Sequence, residues 1–501
     1  MVESSSYGKV LRSSAIMGGA LGINYLLGLV RVKVIAVLLG PGGVGILSLY
    51  TAAINGIGTV SGLGISSSSV RAIAEASAKG DAVAIARATK TLRFACWGTG
   101  LLGWLLAAGL AYPVSDLMFK SRAHAAAIAI LGITLLFTAI SNGQMALLQG
   151  LRRIGDIARA NVIGTVANTA IGVAIYIWLG RDGIVPVLIV SAIVSLTVSW
   201  RLARRIELAP IAMNWNERWR ETRPLVGLGV AFMLSAMLVS ALDLLTRTVI
   251  TRTLGLDAAG NYQAAWSLSG MFAGFVLSAM GTDFYPRLTA VIRDRQNAAR
   301  LINEQTEIGV LLVLPGLVGT MVFAPLVIQI FYTARFSQSA ALLPWFILGI
   351  FGRVLSWPMG FIMLAQAASR WFVATETIFA AIQAGLILTL VPRVGIVGAA
   401  YAFVAVYVLY TACMLWVSRL LIGFAWSSAT FKLLFLSLVL IVSTLATHFL
   451  IAGGASLVFG GLSTLLASLL SLHGLAVRLG NESRLGRLVS SVPGGKWFLN
   501  L

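Results

Sequence analysis

Leu27-Gly28-Leu29-Val30-Arg31-Val32-Lys33, running on to Leu39-Gly40-Pro41-Gly42-Gly43-Val44-Gly45, sets an arginine and a lysine inside an apolar run that turns at glycine and re-enters another apolar run. A second stretch echoes it 215 residues later. It reads Asp243-Leu244-Leu245-Thr246-Arg247, then Arg252-Thr253-Leu254-Gly255-Leu256-Asp257-Ala258-Ala259-Gly260. Gly40 and Gly45 match Gly255 and Gly260 at a common offset, with Arg31 nine residues before its glycine and Arg247 eight before its own. A charge at membrane depth costs about 2.5–3.5 kcal/mol or more unless it faces a polar cavity, so such residues default to function.

Composition sets the surroundings of these hairpins. Of 501 residues, 58% are hydrophobic and only 11% charged. A soluble chain carries about 25% charged residues. Apolar stretches long enough to span a bilayer follow one another with short breaks. Spans are expected near 13–39, 43–68, 92–118, 124–150, 157–179 and 183–206, then 224–254, 258–282, 304–332, 340–368, 371–391 and 394–420, with two more at 430–452 and 455–475. The expected fold is therefore an all-α polytopic membrane protein of about fourteen spans. The polar first ten residues argue against a cleavable signal.

The net charge of +20 is mostly topological. Most of the 37 lysines and arginines fall on one set of alternate connections, while the opposite set holds Lys120, Arg122, Arg181, Arg335 and Arg393. By the positive-inside rule both termini are expected in the cytoplasm, and the charge needs no nucleic-acid partner. Cys96 and Cys413 lie in apolar runs, and His124, His448 and His473 are scattered, so no disulfide framework, metal or other cofactor is expected.

Repetition extends beyond the opening hairpins. Arg181-Asp182-Gly183-Ile184-Val185 resembles Arg393-Val394-Gly395-Ile396-Val397, each before the sixth span of its half. A charged amphipathic stretch follows span 2 (71–93) and span 8 (287–307) alike. The expected organisation is a six-helix lobe over 1–206, a cytoplasmic linker over 207–223, a second six-helix lobe over 224–420, two extra helices over 430–475 and a cytoplasmic tail over 476–501. Six spans per half returns the chain to the same side, so the lobes would be parallel repeats around a central cleft.

On Leu27-Gly28-x-x-Arg31, on Leu38-Leu39-Gly40-Pro41-x-Gly43-x-Gly45, and on the repeat and span count, the chain resembles the polysaccharide-transporter (Wzx-type) branch of the multidrug/oligosaccharidyl-lipid/polysaccharide exporter superfamily. The resemblance implies translocation of undecaprenyl-pyrophosphate-linked oligosaccharide across a bacterial cytoplasmic membrane by alternating access, for O-antigen, capsule or exopolysaccharide. It also implies a cleft lined by spans 1, 2, 7 and 8. The implied partners are that lipid-linked substrate and membrane lipids, with a polysaccharide polymerase and a chain-length regulator as candidates. A lipid II flippase is the nearest alternative, but its pattern continues with aspartate after the span 1 arginine, where this chain has Val32. A small-molecule exporter of the same superfamily would ordinarily have twelve spans and an acidic cleft. A membrane-bound polymerase or ligase needs a sizeable outer domain or loop, and every outer loop here is short. No G-x-x-x-x-G-K-[ST] motif is present, so a driving force would come from an ion gradient, membrane potential or product removal.

Within that frame a few side chains stand out. Arg31 lies about 13 Å below the outer end of span 1; it either contacts a pyrophosphate or sugar acid or clamps its own lobe. Lys33, about 200° around the helix, cannot face the same way. Asp243 and Arg247, at i and i+4, can pair on one face. That pair is either a counter-ion switch displaced by phosphate or a permanent structural bridge. Arg353, mid-span, either faces a cleft or portal or is bonded inside its lobe, and Arg252 reads as interfacial. Glu376 is a candidate coupling carboxylate or a partner for Arg370. Asn55 and Gln263, on the helices paired with Arg31 and Arg247, are cleft candidates. Tyr50 and Trp266 suit stacking on sugar rings or an aromatic belt.

Overall fold

The computed structural model describes residues 3–450 and 454–479. The expected tail beyond Leu479 lies outside the described residues, whereas Arg478 belongs to the last helix, which runs to Leu479. Among the described residues the ordered structure is helical throughout. The helices are α1 (Glu3–Gly62), α2 (Ile65–Ala78), α3 (Ala82–Gly109), α4 (Ala111–Phe119), α5 (Ala125–Leu131), α6 (Ile133–Gly150), α7 (Ile154–Leu179), α8 (Ile184–Ala203) and α9 (Trp215–Leu254). They continue as α10 (Leu256–Val291), α11 (Arg295–Val322), α12 (Ala324–Phe331), α13 (Ser337–Ala365), α14 (Ser369–Val394), α15 (Val397–Ile422), α16 (Ser428–Leu450) and α17 (Gly454–Leu479).

Each expected span has a helical counterpart, although some share one continuous element. Nine described stretches are long and apolar enough to cross a membrane, and up to eleven if each bent pair is one span. Leu26–Gly62 and Ile154–Ala203 each cover the larger part of two expected spans, and the bent pairs are α3 with α4 (60°) and the two parts of α10 (50°). Helix α9, which carries Asp243, Arg247 and Arg252, is not counted among them.

Glycine sets the break inside each duplicated hairpin. Gly40 interrupts α1 with φ 66° and ψ −175°, and Pro41 then opens the following segment. Gly255 closes α9 with φ 91° and ψ 176°. Both copies therefore use the same left-handed backbone, which only glycine adopts without strain. The repeat extends to helix starts that short-range patterning also permits. Helices α3 and α11 are both 28 residues long, each preceded by an aspartate. Asp81 accepts hydrogen bonds from the Val83 and Ala84 amides, and Asp294 from those of Gln296 and Asn297. These caps satisfy donors that every helix start leaves open.

The chain divides into two compact units, Met1–Gly260 with Phe331–Thr333, and Asn261–Ile330 with Ala334–Leu501. In the first, Leu49 and Ala53 of α1 bury against Met118, and Ile65, Ile73, Leu92, Cys96 and Leu147 form a second cluster. In the second, Phe284, Leu288, Ile302, Met359, Met363 and Met414 build the main core. Helices α16 and α17 pack on α11 through Leu433, Leu475 and Leu311. Their opposite faces expose Phe431, Phe435, Val439, Leu462, Leu466 and Leu469, as a lipid-facing pair does.

Candidate functional site

Arg31 sits half-buried on α1, within electrostatic reach of the Tyr176 hydroxyl of α7. Its guanidinium makes no hydrogen bond or ion pair among the described residues. Tyr176 is 2% exposed, and its hydroxyl is buried with no hydrogen-bond partner. A donor-rich cation and an unsatisfied hydroxyl thus share one patch of unit 1. Lys33 leaves on another side of the helix and donates to the Tyr332 carbonyl at 2.5 Å. The two charges diverge, as their spacing requires.

Arg247 is treated differently. It is 7% exposed and forked onto Asp243, with Nε to Oδ2 and Nη2 to Oδ1 both 2.9 Å. Bidentate charge-assisted pairing of this kind is strong and geometrically specific. Arg252 is exposed at the end of α9, consistent with an interfacial anchor. Asn55 is exposed on α1, and one turn further on Thr59 bonds Ser240 of α9 at 3.1 Å.

Tyr50 departs from the sugar-stacking alternative. It is 5% exposed, its hydroxyl lies 2.7 Å from His124 Nδ1, and its ring packs on Phe119 and His124. The ring is a packing element in this structure, because both its face and its hydroxyl are committed. Trp266 likewise sits in an aromatic nest with Tyr262, Phe346 and Phe403. Gln263, on the same helix, donates to Ser267 Oγ at 2.7 Å.

Arg353 opens onto a cavity inside unit 2, about 450 Å³ in volume, between α10 and α13. The guanidinium is exposed there and makes no hydrogen bond or ion pair among the described residues. Glu376 of α14 lies within electrostatic reach of it and of the Tyr410 hydroxyl of α15. Glu376 therefore neighbours Arg353 and Tyr410, and makes no ion pair with Arg370. Tyr176, Tyr410 and the cavity aromatics Trp357 and Phe361 were not legible as site residues. Their partners lie on helices far away in sequence.

The profile of the family described as polysaccharide biosynthesis protein matches residues 10–292, more than half of the chain. The chain belongs to that family. Among curated proteins, the lipid III flippases of Escherichia coli (strain K12) and Shigella flexneri are each 22% identical over 398 residues, covering 76% of this chain and 92% of theirs. Among solved structures, the lipid II flippase MurJ in an inward closed conformation superposes with a TM-score of 0.70 at 16% identity, over 93% of this chain and 99% of that one. An inward-facing multidrug resistance MATE family transporter of the MOP superfamily gives 0.64 at 16% identity, over 82% and 96%. The resemblance carried by the first hairpin is thus borne out. The polysaccharide biosynthesis family member has the fold of MOP-superfamily transporters and is a multi-pass membrane protein.

Proposed function

We propose that this protein flips an oligosaccharide linked to undecaprenyl pyrophosphate from the inner to the outer leaflet of the bacterial cytoplasmic membrane by alternating access, with both termini cytoplasmic. The observation that carries this reading is Arg31, which makes no hydrogen bond or ion pair among the described residues and lies at about mid-span, 9 residues before Gly40. A permanent cation there is costly when empty and favourable when a phosphate arrives. Arginine suits the role because its planar fork binds phosphate bidentately and never loses its proton.

Arg247 is the second phosphate ligand in this reading. Asp243 neutralises it in the empty state, and an arriving pyrophosphate competes for the same fork. Asn55 in the first unit, and separately Gln263 and Arg353 in the second, are further candidate polar contacts for the substrate. Glu376 is held in reserve as a coupling carboxylate. The 22%-identical relatives named lipid III flippase support a lipid-linked substrate, and the family description supports a place in surface-polysaccharide assembly. A polymerase and a chain-length regulator are the natural neighbours of such a step.

Complementation tests the proposal. In a strain whose surface polysaccharide depends on this protein, Arg31→Ala abolishes the polysaccharide at unchanged membrane abundance, and Arg31→Lys restores part of it. Wild-type polysaccharide with Arg31→Ala overturns the assignment.

A further inference from the structure

The cavity beneath Arg353 has a composition that phosphate binding alone does not explain. One wall is a single face of α13, where Ile350, Arg353, Trp357 and Phe361 follow one another at helical spacing. The facing wall is α10, where Gly270, Gly274 and Gly281 alternate with Ala273, Leu277 and Ser278 and leave room. A Cβ on Gly281 would stand 3.1 Å from Trp357 Cζ2, so glycine lets α10 approach the indole edge, while nothing lies within 4 Å of a Cβ on Gly270 or Gly274. Phe361 and Phe284 pack against that indole, at ring-centroid distances of 4.8 and 5.9 Å. Ser278 donates its hydroxyl proton to the Phe275 carbonyl, which leaves its oxygen free to accept. The volume of about 450 Å³ falls within the range of small-molecule sites, about 300–1,000 Å³.

We infer that this pocket is a saccharide subsite that takes one acidic pyranose, its apolar face on Trp357 and its carboxylate on Arg353. The inference rests on the flippase reading and adds a substrate class to it: oligosaccharides containing a uronic acid or a similar carboxylated sugar. A planar carboxylate matches one guanidinium fork. Pyrophosphate carries more charge than a single arginine offsets. The pocket walls are helical, so their backbone amides are already bonded and provide no further anion donors. Aromatic face, cation and acceptor hydroxyl together describe a sugar acid.

The test is equilibrium binding to the full-length protein in lipid nanodiscs, using a glucuronic acid–N-acetylglucosamine disaccharide, its neutral glucose analogue and inorganic pyrophosphate. The acidic disaccharide binds at least tenfold more tightly than the neutral one. R353Q removes that preference, R353K keeps part of it, and W357F weakens both sugars alike. Equal binding of the two sugars, no binding, or Arg353-dependent displacement by pyrophosphate overturns the subsite. Failure here with transport of lipid-linked oligosaccharide still dependent on Arg31 removes the subsite and leaves the flippase reading standing. Loss of that transport dependence with acidic-sugar binding intact does the reverse.

Discussion

Gly45 and Gly260 occupy the same position in the two copies of the duplicated hairpin, and in the folded chain they meet. A Cβ on Gly45 would overlap the Leu256 carbonyl oxygen and stand 3.2 Å from the Gly260 amide nitrogen; one on Gly260 would overlap the Pro41 carbonyl oxygen. Backbone on backbone leaves no flexible atom to give way. Gly45→Ala and Gly260→Ala are each expected to destabilise by about 1–3 kcal/mol, as overpacking of a tight contact does. Gly56→Ala, with nothing within 4 Å of the added carbon, is the near-neutral control. Thermal unfolding of the purified protein in detergent separates them; three equal midpoints would deny the close approach.

The Asp243–Arg247 fork makes an asymmetric prediction. Asp243→Asn leaves Arg247 charged, 7% exposed and short of its carboxylate. The expected loss is about 1.5–3 kcal/mol, the scale of a hydrogen bond to a charged group. Asp243→Asn with Arg247→Gln recovers part of it. A double variant no better than the single one contradicts the pairing, and a double-mutant cycle on unfolding midpoints reads the difference.

An ion cluster within the second unit ties the two extra helices to α11. Glu307 of α11 is 9% exposed and accepts from Arg478 Nε of α17 and Thr430 Oγ1 of α16, each at 2.5 Å. Glu307→Leu strands Arg478 and costs about 3 kcal/mol, the lower end for breaking a buried pair. Thr430→Val costs less because the ion pair survives. Limited proteolysis in the 423–427 connection reports release of α16 and α17. Unchanged cleavage with Glu307→Leu counts against the clamp.

Asp294 carries the pH dependence. The Asn297 backbone and side chain, then the Gln296 backbone, bond its carboxylate and hold its pKa below the ordinary value of 3.8. Its folded pKa is depressed, so the cap contributes fully above 3.8 and is lost as pH falls through the lowered value. Hydrogen exchange at the Gln296 and Asn297 amides should hold steady from neutral pH to that point and then accelerate relative to the intrinsic rate. Asp294→Asn flattens the transition, and an identical profile in that variant would refute the cap.

The features visible in the sequence are those decided within one helix or one turn. Gly40 and Gly255 could be matched by offset because left-handed backbone demands glycine, and Asp243 with Arg247 because both lie one turn apart on α9. Arg31 and Arg353 stood out as charges in apolar runs. What surrounds them did not, since Tyr176 reaches Arg31 from 145 residues away and Glu376 reaches Arg353 from another helix. Tyr50 shows the same limit in reverse. An aromatic at a span end reads as available until His124, 74 residues on, takes its hydroxyl. Arg478 looked like the start of a tail because its partner Glu307 is 171 residues earlier.

In the proposed transport cycle Arg31 holds the pyrophosphate of the lipid-linked oligosaccharide as it crosses the bilayer. The direct measurement is the appearance of undecaprenyl-pyrophosphate-linked oligosaccharide in the outer leaflet of proteoliposomes, read by accessibility of its sugars to an impermeant lectin. Purified wild-type protein accelerates that appearance, and Arg31→Ala reduces it to the protein-free rate while Arg31→Lys retains a fraction. Equal rates for wild type and Arg31→Ala, or for wild type and empty liposomes, would contradict the account.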